Sequence, residues 1–173
     1  MKGNKMEFRQ GKIKDIPEII NIINEGKEAL KLMGIDQWQD GYPNEETIRQ
    51  DIDNKEAYVL KENGEVLAYG MLSFALEKTY EKIYEGEWLT NKEYATIHRT
   101  VVKKSGKGRG LSHILLGSME RICLEKNCHS IKVDTHRDNK IMQNTLLKNS
   151  YKYCGIIYLE DRSERLAYEK VFF

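Results

Sequence analysis

The sequence predicts a mixed α/β fold, one domain over residues 1–173, and three observations predict it. Strand-like and helical periodicities follow one another in the order βααβββαβαββ. Asn63-Gly64 stands between apolar runs at 57–61 and 65–74, the strongest local signal for a two-residue hairpin. Ile97 to Ser112, Ile-His-Arg-Thr-Val-Val-Lys-Lys-Ser-Gly-Lys-Gly-Arg-Gly-Leu-Ser, reads as strand, glycine loop and helix start, the connection that a parallel crossover requires.

Taken in order, Met6 to Gln10 is short and suits an edge strand. Asp15 opens a helix: with Glu18 it forms an Asp-x-x-Glu capping box, and Pro17 lies in the first turn, where its missing N–H is tolerated. Ile16, Ile19, Ile20, Ile23, Leu30 and Met33 form the apolar stripe, and Gly34 stops the helix. Residues 35–43 have no period and carry Trp38 and Tyr42, so they form a loop. Asn44 caps a short second helix running to Ile52, and the hairpin follows. Leu76 to Glu93 is charged and rich in aromatics, with Tyr80, Tyr84 and Trp88 but no firm period. It is expected to be a long, partly ordered connection, a kind of segment that is often functional. The helix after the glycine loop shows Leu111, Ile114, Leu115, Met119, Ile122 and Cys123 at helical spacing. Ser130 to Thr135 is a strand with Ile131 and Val133 on one face and Lys132 and Asp134 on the other. Asn139 to Asn149 is a helix, Tyr151 to Leu159 a strand, Asp161 to Glu164 a turn and Arg165 to Phe172 the last strand.

Composition narrows the function classes. Lys+Arg of 28 against Asp+Glu of 27 gives a net charge of +1, which argues against a nucleic-acid-binding protein, whose footprint is strongly basic. No apolar run approaches a membrane span, and Met1-Lys2-Gly3-Asn4-Lys5 lacks an apolar signal core, so the expected location is cytoplasmic. Cys123, Cys128 and Cys154 are odd in number and make no Cys-x-x-Cys pair. They read as reduced apolar fillers, and no metal is expected.

The glycine loop carries the first chemistry. Gly106, Gly108 and Gly110 let the backbone turn tightly and leave amide N–H groups at a helix start free to meet an anion, with Lys103, Lys104, Lys107 and Arg109 adding charge. A pyrophosphate suits this combination; a basic solvated turn is the plain alternative. The spacing is neither Gly-x-x-x-x-Gly-Lys-Ser/Thr nor Gly-x-Gly-x-x-Gly, which excludes the Walker and Rossmann loops.

Lys107-Gly108-Arg109-Gly110-Leu111-Ser112, five residues after Val102, resembles the acetyl-CoA loop of the GNAT N-acetyltransferases, Arg/Gln-x-x-Gly-x-Gly/Ala, with Lys107 and Ser112 as conservative departures. The element order is similar to that superfamily's over almost the whole chain. Asn139 to Tyr151 resembles its second cofactor segment, Asn-x-x-Ala-x-x-x-Tyr-x-Lys-x-Gly-Phe: Asn139 and Lys148 match, while Met142, Leu146, Ser150 and Tyr151 depart. The resemblance implies a mostly antiparallel sheet flanked by helices with a splayed pair of central parallel strands. It implies acetyl-CoA as cosubstrate, with Val101 and Val102 on the pantetheine arm, Lys107, Gly108, Arg109, Gly110, Leu111 and Ser112 on the pyrophosphate, and Asn139 and Lys148 as further cofactor residues. Leu146 replaces the tyrosine that in the family often protonates the leaving thiolate. Leucine cannot do so. Another group, water, or a loss of activity must account for it.

Acyl transfer to an amine also needs a base. His98, on the strand before the loop, has the side chain that titrates nearest neutral pH, and Asp134 lies on the next strand, where some ribosomal-protein acetyltransferases of the superfamily carry a glutamate base. Each also has a plain role, His98 as a packed strand residue and Asp134 as partner of Arg99 or Arg137. His136 follows Asp134, and Glu87 is a further acid. Tyr151, Tyr153 and Tyr158 could donate the missing proton, although strand tyrosines more often pack. Trp38 and Tyr42, in a loop that lies over the acceptor pocket in the family, could enclose an aliphatic or cationic amine; Trp38 could equally plug the gap between helix and sheet. Two functions stay open: an acetyl-CoA-dependent N-acetyltransferase acting on a primary amine of a small molecule or a protein N-terminus, and a catalytically idle acyl-CoA-binding or regulatory domain. Monomer and homodimer are both compatible.

Overall fold

The computed structural model describes residues 5–173. Seven strands form one sheet in the order β1-β2-β3-β4-β5-β7-β6: β1 Met6–Gln10, β2 Ala57–Glu62, β3 Glu65–Ser73, β4 Ala95–Val102, β5 Ser130–Thr135, β6 Lys152–Tyr158 and β7 Glu164–Val171. The helices are α1 Ile16–Leu32, α2 Glu45–Asp53, α3 Leu111–Glu125 and α4 Lys140–Lys148. The pairings β1/β2, β2/β3, β5/β7 and β6/β7 are antiparallel, and β4/β5 is parallel. This is the order of elements that the periodicity predicts. Among the described residues no helix is long and apolar enough to cross a membrane.

The chain divides into two compact units, one of residues 5–72 with 99–118, the other of 73–98 with 119–173. In the first, Ile16, Ile19, Ile22 and Ile23 of α1 pack with Ile48, Ala57, Val59, Val66, Tyr69 and Val101. Asn63 (φ 51°) and Gly64 (φ 82°) make the expected tight turn. Asn44 caps α2, its side chain accepting from the Thr47 amide.

The Asp15/Glu18 capping box does not form. A short 3-10 turn over Ile13–Asp15 leaves Asp15 with helical backbone angles, and its carboxylate turns to the Arg9 guanidinium (2.7 and 2.9 Å) and the Lys12 amide (2.7 Å). Glu18 accepts from the Val66 amide instead, at 2.8 Å. A charged guanidinium is a stronger partner for the Asp15 carboxylate than the helix's own neutral amides. Burial alone would raise the Asp15 proton affinity, but the hydrogen bonds from Arg9 and Lys12 outweigh it and hold the carboxyl below its ordinary range. Asp15 therefore stabilises the fold above about pH 4, and that contribution is lost as pH falls through its lower folded value. Asp15→Asn should cost about 1–3 kcal/mol at neutral pH. It should also flatten the acid limb of a stability–pH curve from urea melts, and an unchanged limb would show that the pairing contributes nothing.

In the second unit the connection between β3 and β4 is more ordered than the sequence suggested. It carries a 3-10 turn at Lys78–Tyr80 and bridges β6 through paired backbone bonds between Tyr84 and Ile156, both 2.8 Å. Side chains on β5 and β7 explain the order. Lys132 lies opposite Glu169 in the β5/β7 register, and both are buried. Glu169 accepts from Ser130 Oγ (2.7 Å) and from the Leu89 amide (2.6 Å), while the Lys132 ammonium sits 4.4 Å from the Trp88 ring and 4.0 Å from the Tyr94 ring. The hydrogen bond from the Leu89 amide to Glu169 and two cation–π contacts to Lys132 thus tether the connection. Cys123, Cys128 and Cys154 are buried and unbridged, and burial pushes the Cys123 and Cys154 thiols up to about 12 and about 11.

Candidate active site

The loop of the first unit has the backbone that its glycines implied. After β4 a 3-10 turn runs over Lys104–Gly106; Gly108 and Gly110 follow at φ 81° and 72°, angles that L side chains rarely adopt, and α3 begins at Leu111. The helix ladder opens with the Ile114 amide donating to the Gly110 carbonyl at 3.2 Å, so the Leu111 and Ser112 amides precede it. Residues 107–110 are exposed. The positive charge is less free than the count suggested. Arg109 pairs with Glu62 at 2.9 Å and Lys103 pairs with Glu65, both carboxylates coming from the β2/β3 hairpin. Lys104 and Lys107 are exposed. The backbone amides, rather than a basic cluster, are the main anion-directed feature.

Trp38 and Tyr42 are both anchored in this unit. Trp38 has φ 65° and lies against α1 at Gly26, where a Cβ would meet Val101 Cγ2 at 3.0 Å and Trp38 Cζ3 at 3.2 Å. Only glycine there lets the indole and Val101 approach the helix so closely. The Tyr42 hydroxyl accepts from Arg99 Nη1 at 2.7 Å; Arg99 also makes two bonds to Asp51 (2.9 and 2.5 Å), and Asp51 accepts from the Tyr69 hydroxyl at 2.5 Å. Burial opposes the Arg99 charge, but Asp51 outweighs it and keeps the guanidinium protonated. Arg99 itself has φ 56° inside β4, so strand alternation cannot be carried across it.

In the second unit, β4 and β5 pair at Ala95↔Ile131 and Thr96↔Lys132 among the described residues, while β5 runs on to Thr135 against β7. His98 and Asp134 lie past those rungs. His98 Nε2 faces Glu77 Oε2 at 3.5 Å without forming an aligned hydrogen bond. Asp134 accepts from the Tyr80 hydroxyl at 2.6 Å, and the Tyr80 ring lies 6.1 Å from the His98 ring. The structure thus brings His98 and Asp134 into one group through Tyr80. Neither Arg99 nor Arg137 is the partner of Asp134; they pair with Asp51 and Glu164. Tyr80 is fully buried, and burial together with Asp134 holds its hydroxyl protonated well beyond the ordinary range.

The remaining candidates separate by burial and bonding. His136 is tied into the turn before α4, its Nδ1 accepting from the Asp138 amide at 3.0 Å. Asn139 caps α4, accepting from the Met142 amide at 3.1 Å, and Lys148 is exposed in its last turn. Leu146 is fully buried, as is Tyr151, whose hydroxyl has no hydrogen-bond partner among the described residues and lies near Glu120 and Cys123. Tyr153 and Tyr158 are exposed and pack edge-on against Tyr168 and Tyr84. Glu87 is exposed. Glu77, Tyr80, Tyr94 and Lys132 were not assigned to the site by sequence, because three of them lie in or beside an aperiodic connection whose aromatics, Tyr80 among them, were its main signal, and Lys132 was read only as a neighbour of Asp134 on one strand face. No group of three or more His, Cys, Asp or Glu among the described residues could hold a metal.

The model of the acetyltransferase (GNAT) family matches residues 17–151. A GNAT-family acetyltransferase from Streptococcus agalactiae is 34% identical, with 97% of this chain and 96% of that one covered and a TM-score of 0.89. A GNAT-family acetyltransferase from Listeria monocytogenes is 18% identical over 99% and 97% of the two chains, with a TM-score of 0.75. The ribosomal-protein-S18-alanine N-acetyltransferase of Escherichia coli shares the fold at 12% identity, 98% and 96% coverage and a TM-score of 0.66. No curated protein matches the chain.

Proposed function

Since this chain belongs to the acetyltransferase (GNAT) family, we propose that it is an acetyl-CoA-dependent N-acetyltransferase that moves the acetyl group directly to a primary amine, and that residues 1–173 act as one such domain, in the cytoplasm. The observation that carries this is the grouping of His98, Glu77, Tyr80 and Asp134 in one unit of a chain whose other unit holds a glycine loop leading into a helix N-terminus.

In this proposal the amides at Gly108 to Ser112 hold the pyrophosphate of CoA, supported by Lys107, with Arg109 closing the loop against Glu62. The backbone at Val101 and Val102 and the side chains of Asn139 and Lys148 take the roles of their family counterparts. His98 accepts the proton as the amine nitrogen attacks the thioester carbonyl, the C–S bond breaks and CoA leaves as the thiolate. Asp134, which accepts from the Tyr80 O–H, orients the acceptor's ammonium, which loses its extra proton to water before that step. Leu146 supplies no proton, so the thiolate is protonated from solvent or by the imidazolium. Trp38, Tyr42 and His136 are the residues assigned to the acceptor by the family resemblance. Proteins and small molecules are both compatible as acceptors.

Incubation with acetyl-CoA and a panel of small amines and N-terminal peptides tests the proposal by release of free CoA. Acceptor-dependent release is expected. Tight CoA binding with no release above the solvent background would instead mark the idle acyl-CoA-binding domain that Leu146 favours. Trp38→Ala should raise the acceptor KM several-fold more than the acetyl-CoA KM and should also lower Tm, because the indole packs on Gly26 and Val101. A lowered Tm with both KM values unchanged would reduce Trp38 to a packing residue.

A further inference from the structure

The Leu76–Glu93 connection delivers a carboxylate to His98, and its geometry is specific. The Glu77 amide donates to Tyr94 Oη at 3.4 Å, and Thr79 Oγ1 donates to Glu77 Oε1 at 3.0 Å. One carboxylate oxygen is therefore occupied and the backbone is pinned, leaving Oε2 toward His98 Nε2 at 3.5 Å. That imidazole nitrogen is buried and has no aligned partner among the described residues. The nearby His98 imidazole holds the Glu77 carboxyl below its ordinary range; burial opposes this and Thr79 assists, so Glu77 is an anion near neutral pH. The other ionisable groups facing this imidazole, Tyr80 and through it Asp134, are joined to each other.

We propose that Glu77 is the positioning residue of a Glu–His pair, holding His98 with its proton on Nε2 so that Nδ1 is the nitrogen that takes the proton from the attacking amine. This rests on the assignment of His98 as base. A carboxylate behind the imidazole fixes the tautomer and stabilises the imidazolium formed when the amine is deprotonated. The proton moves from the amine nitrogen to Nδ1, the positive charge is shared toward Glu77 Oε2, and the proton is returned to solvent or to the thiolate after the C–S bond breaks. Tyr80 completes the arrangement by keeping the Asp134 carboxylate directed away from this role.

The test is Glu77→Gln, which keeps shape and removes charge. With the amine that gives the highest CoA release, kcat should fall about 10–100-fold, the acetyl-CoA KM should stay within about twofold, and the acidic limb of kcat/KM should move to lower pH, because the anion no longer favours the imidazolium. Glu77→Asp should recover part of the loss. Nitrogen-15 NMR of imidazole-labelled protein reads the same pair without any acceptor: wild type should show the Nε2–H form of His98, and Glu77→Gln a mixture of tautomers. An Nδ1–H tautomer in wild type, or an unmoved limb in Glu77→Gln, overturns the pair while leaving His98 as base. If His98→Ala itself retains full activity, the underlying assignment fails, whatever Glu77→Gln does.

Discussion

Gly110→Val should abolish acetyl-CoA binding while the rest of the fold survives. At φ 72° this residue occupies a left-handed conformation, and a Cβ added there would meet no protein atom within 4 Å. The substitution therefore creates no clash in the protein. Its cost is conformational: a β-branched residue resists that φ by about 1–3 kcal/mol, and the loop relaxes toward ordinary angles. Relaxation redirects the amides at 110–112, and a branched side chain stands where the anion would lie. Gly110 also provides the carbonyl that accepts the first bond of α3. Isothermal titration with acetyl-CoA should show no binding in the valine variant, whereas circular dichroism and Tm should show a folded protein slightly less stable than wild type. Unchanged affinity would remove the pyrophosphate from this loop.

His98→Ala should lower kcat by about 10²–10⁴, the usual contribution of a positioned general base, with acetyl-CoA affinity little changed. The acidic limb of kcat/KM should vanish in the same variant. That limb reports the fraction of imidazole free to accept a proton, which rises as pH rises. Asp134→Asn keeps a partner for the Tyr80 hydroxyl and should act mainly on the acceptor KM, since the carboxylate is assigned to the incoming ammonium. The comparison separates the two. If Asp134→Asn loses kcat and His98→Ala keeps it, the roles are reversed; if neither changes kcat, the amine is deprotonated by water.

Much of the fold was legible in the residues because the relevant signals are local. Alternation marked the strands, the spacing of Ile16, Ile19 and Ile23 marked α1, Asn63-Gly64 marked a turn that only left-handed residues can make, and Gly108 and Gly110 marked a loop with the same requirement. These are properties of a few consecutive residues, so the sequence by itself determined the element order, the crossover loop and hence the family resemblance. Capping was less secure. Asp15 and Glu18 had the capping-box spacing, yet Arg9 and the Val66 amide took their carboxylates, because partners distant in sequence competed with the helix's own amides and won.

The surroundings of His98 and Asp134 belong to the tertiary structure alone. Glu77 lies 21 positions before His98 and Tyr80 lies 54 before Asp134, in a segment without periodicity, and no spacing rule relates such pairs. What brings them together is the tether of that segment on Lys132 and Glu169, whose charges become strong, directional partners only once packing has removed the water around them. The same holds for Arg109 and Lys103, which count as free cations in the sequence and are paired to Glu62 and Glu65 once the hairpin folds. A sequence lists which charges exist. Only the folded chain decides which of them remain available to a ligand, because that depends on desolvation and on neighbours that local spacing does not encode.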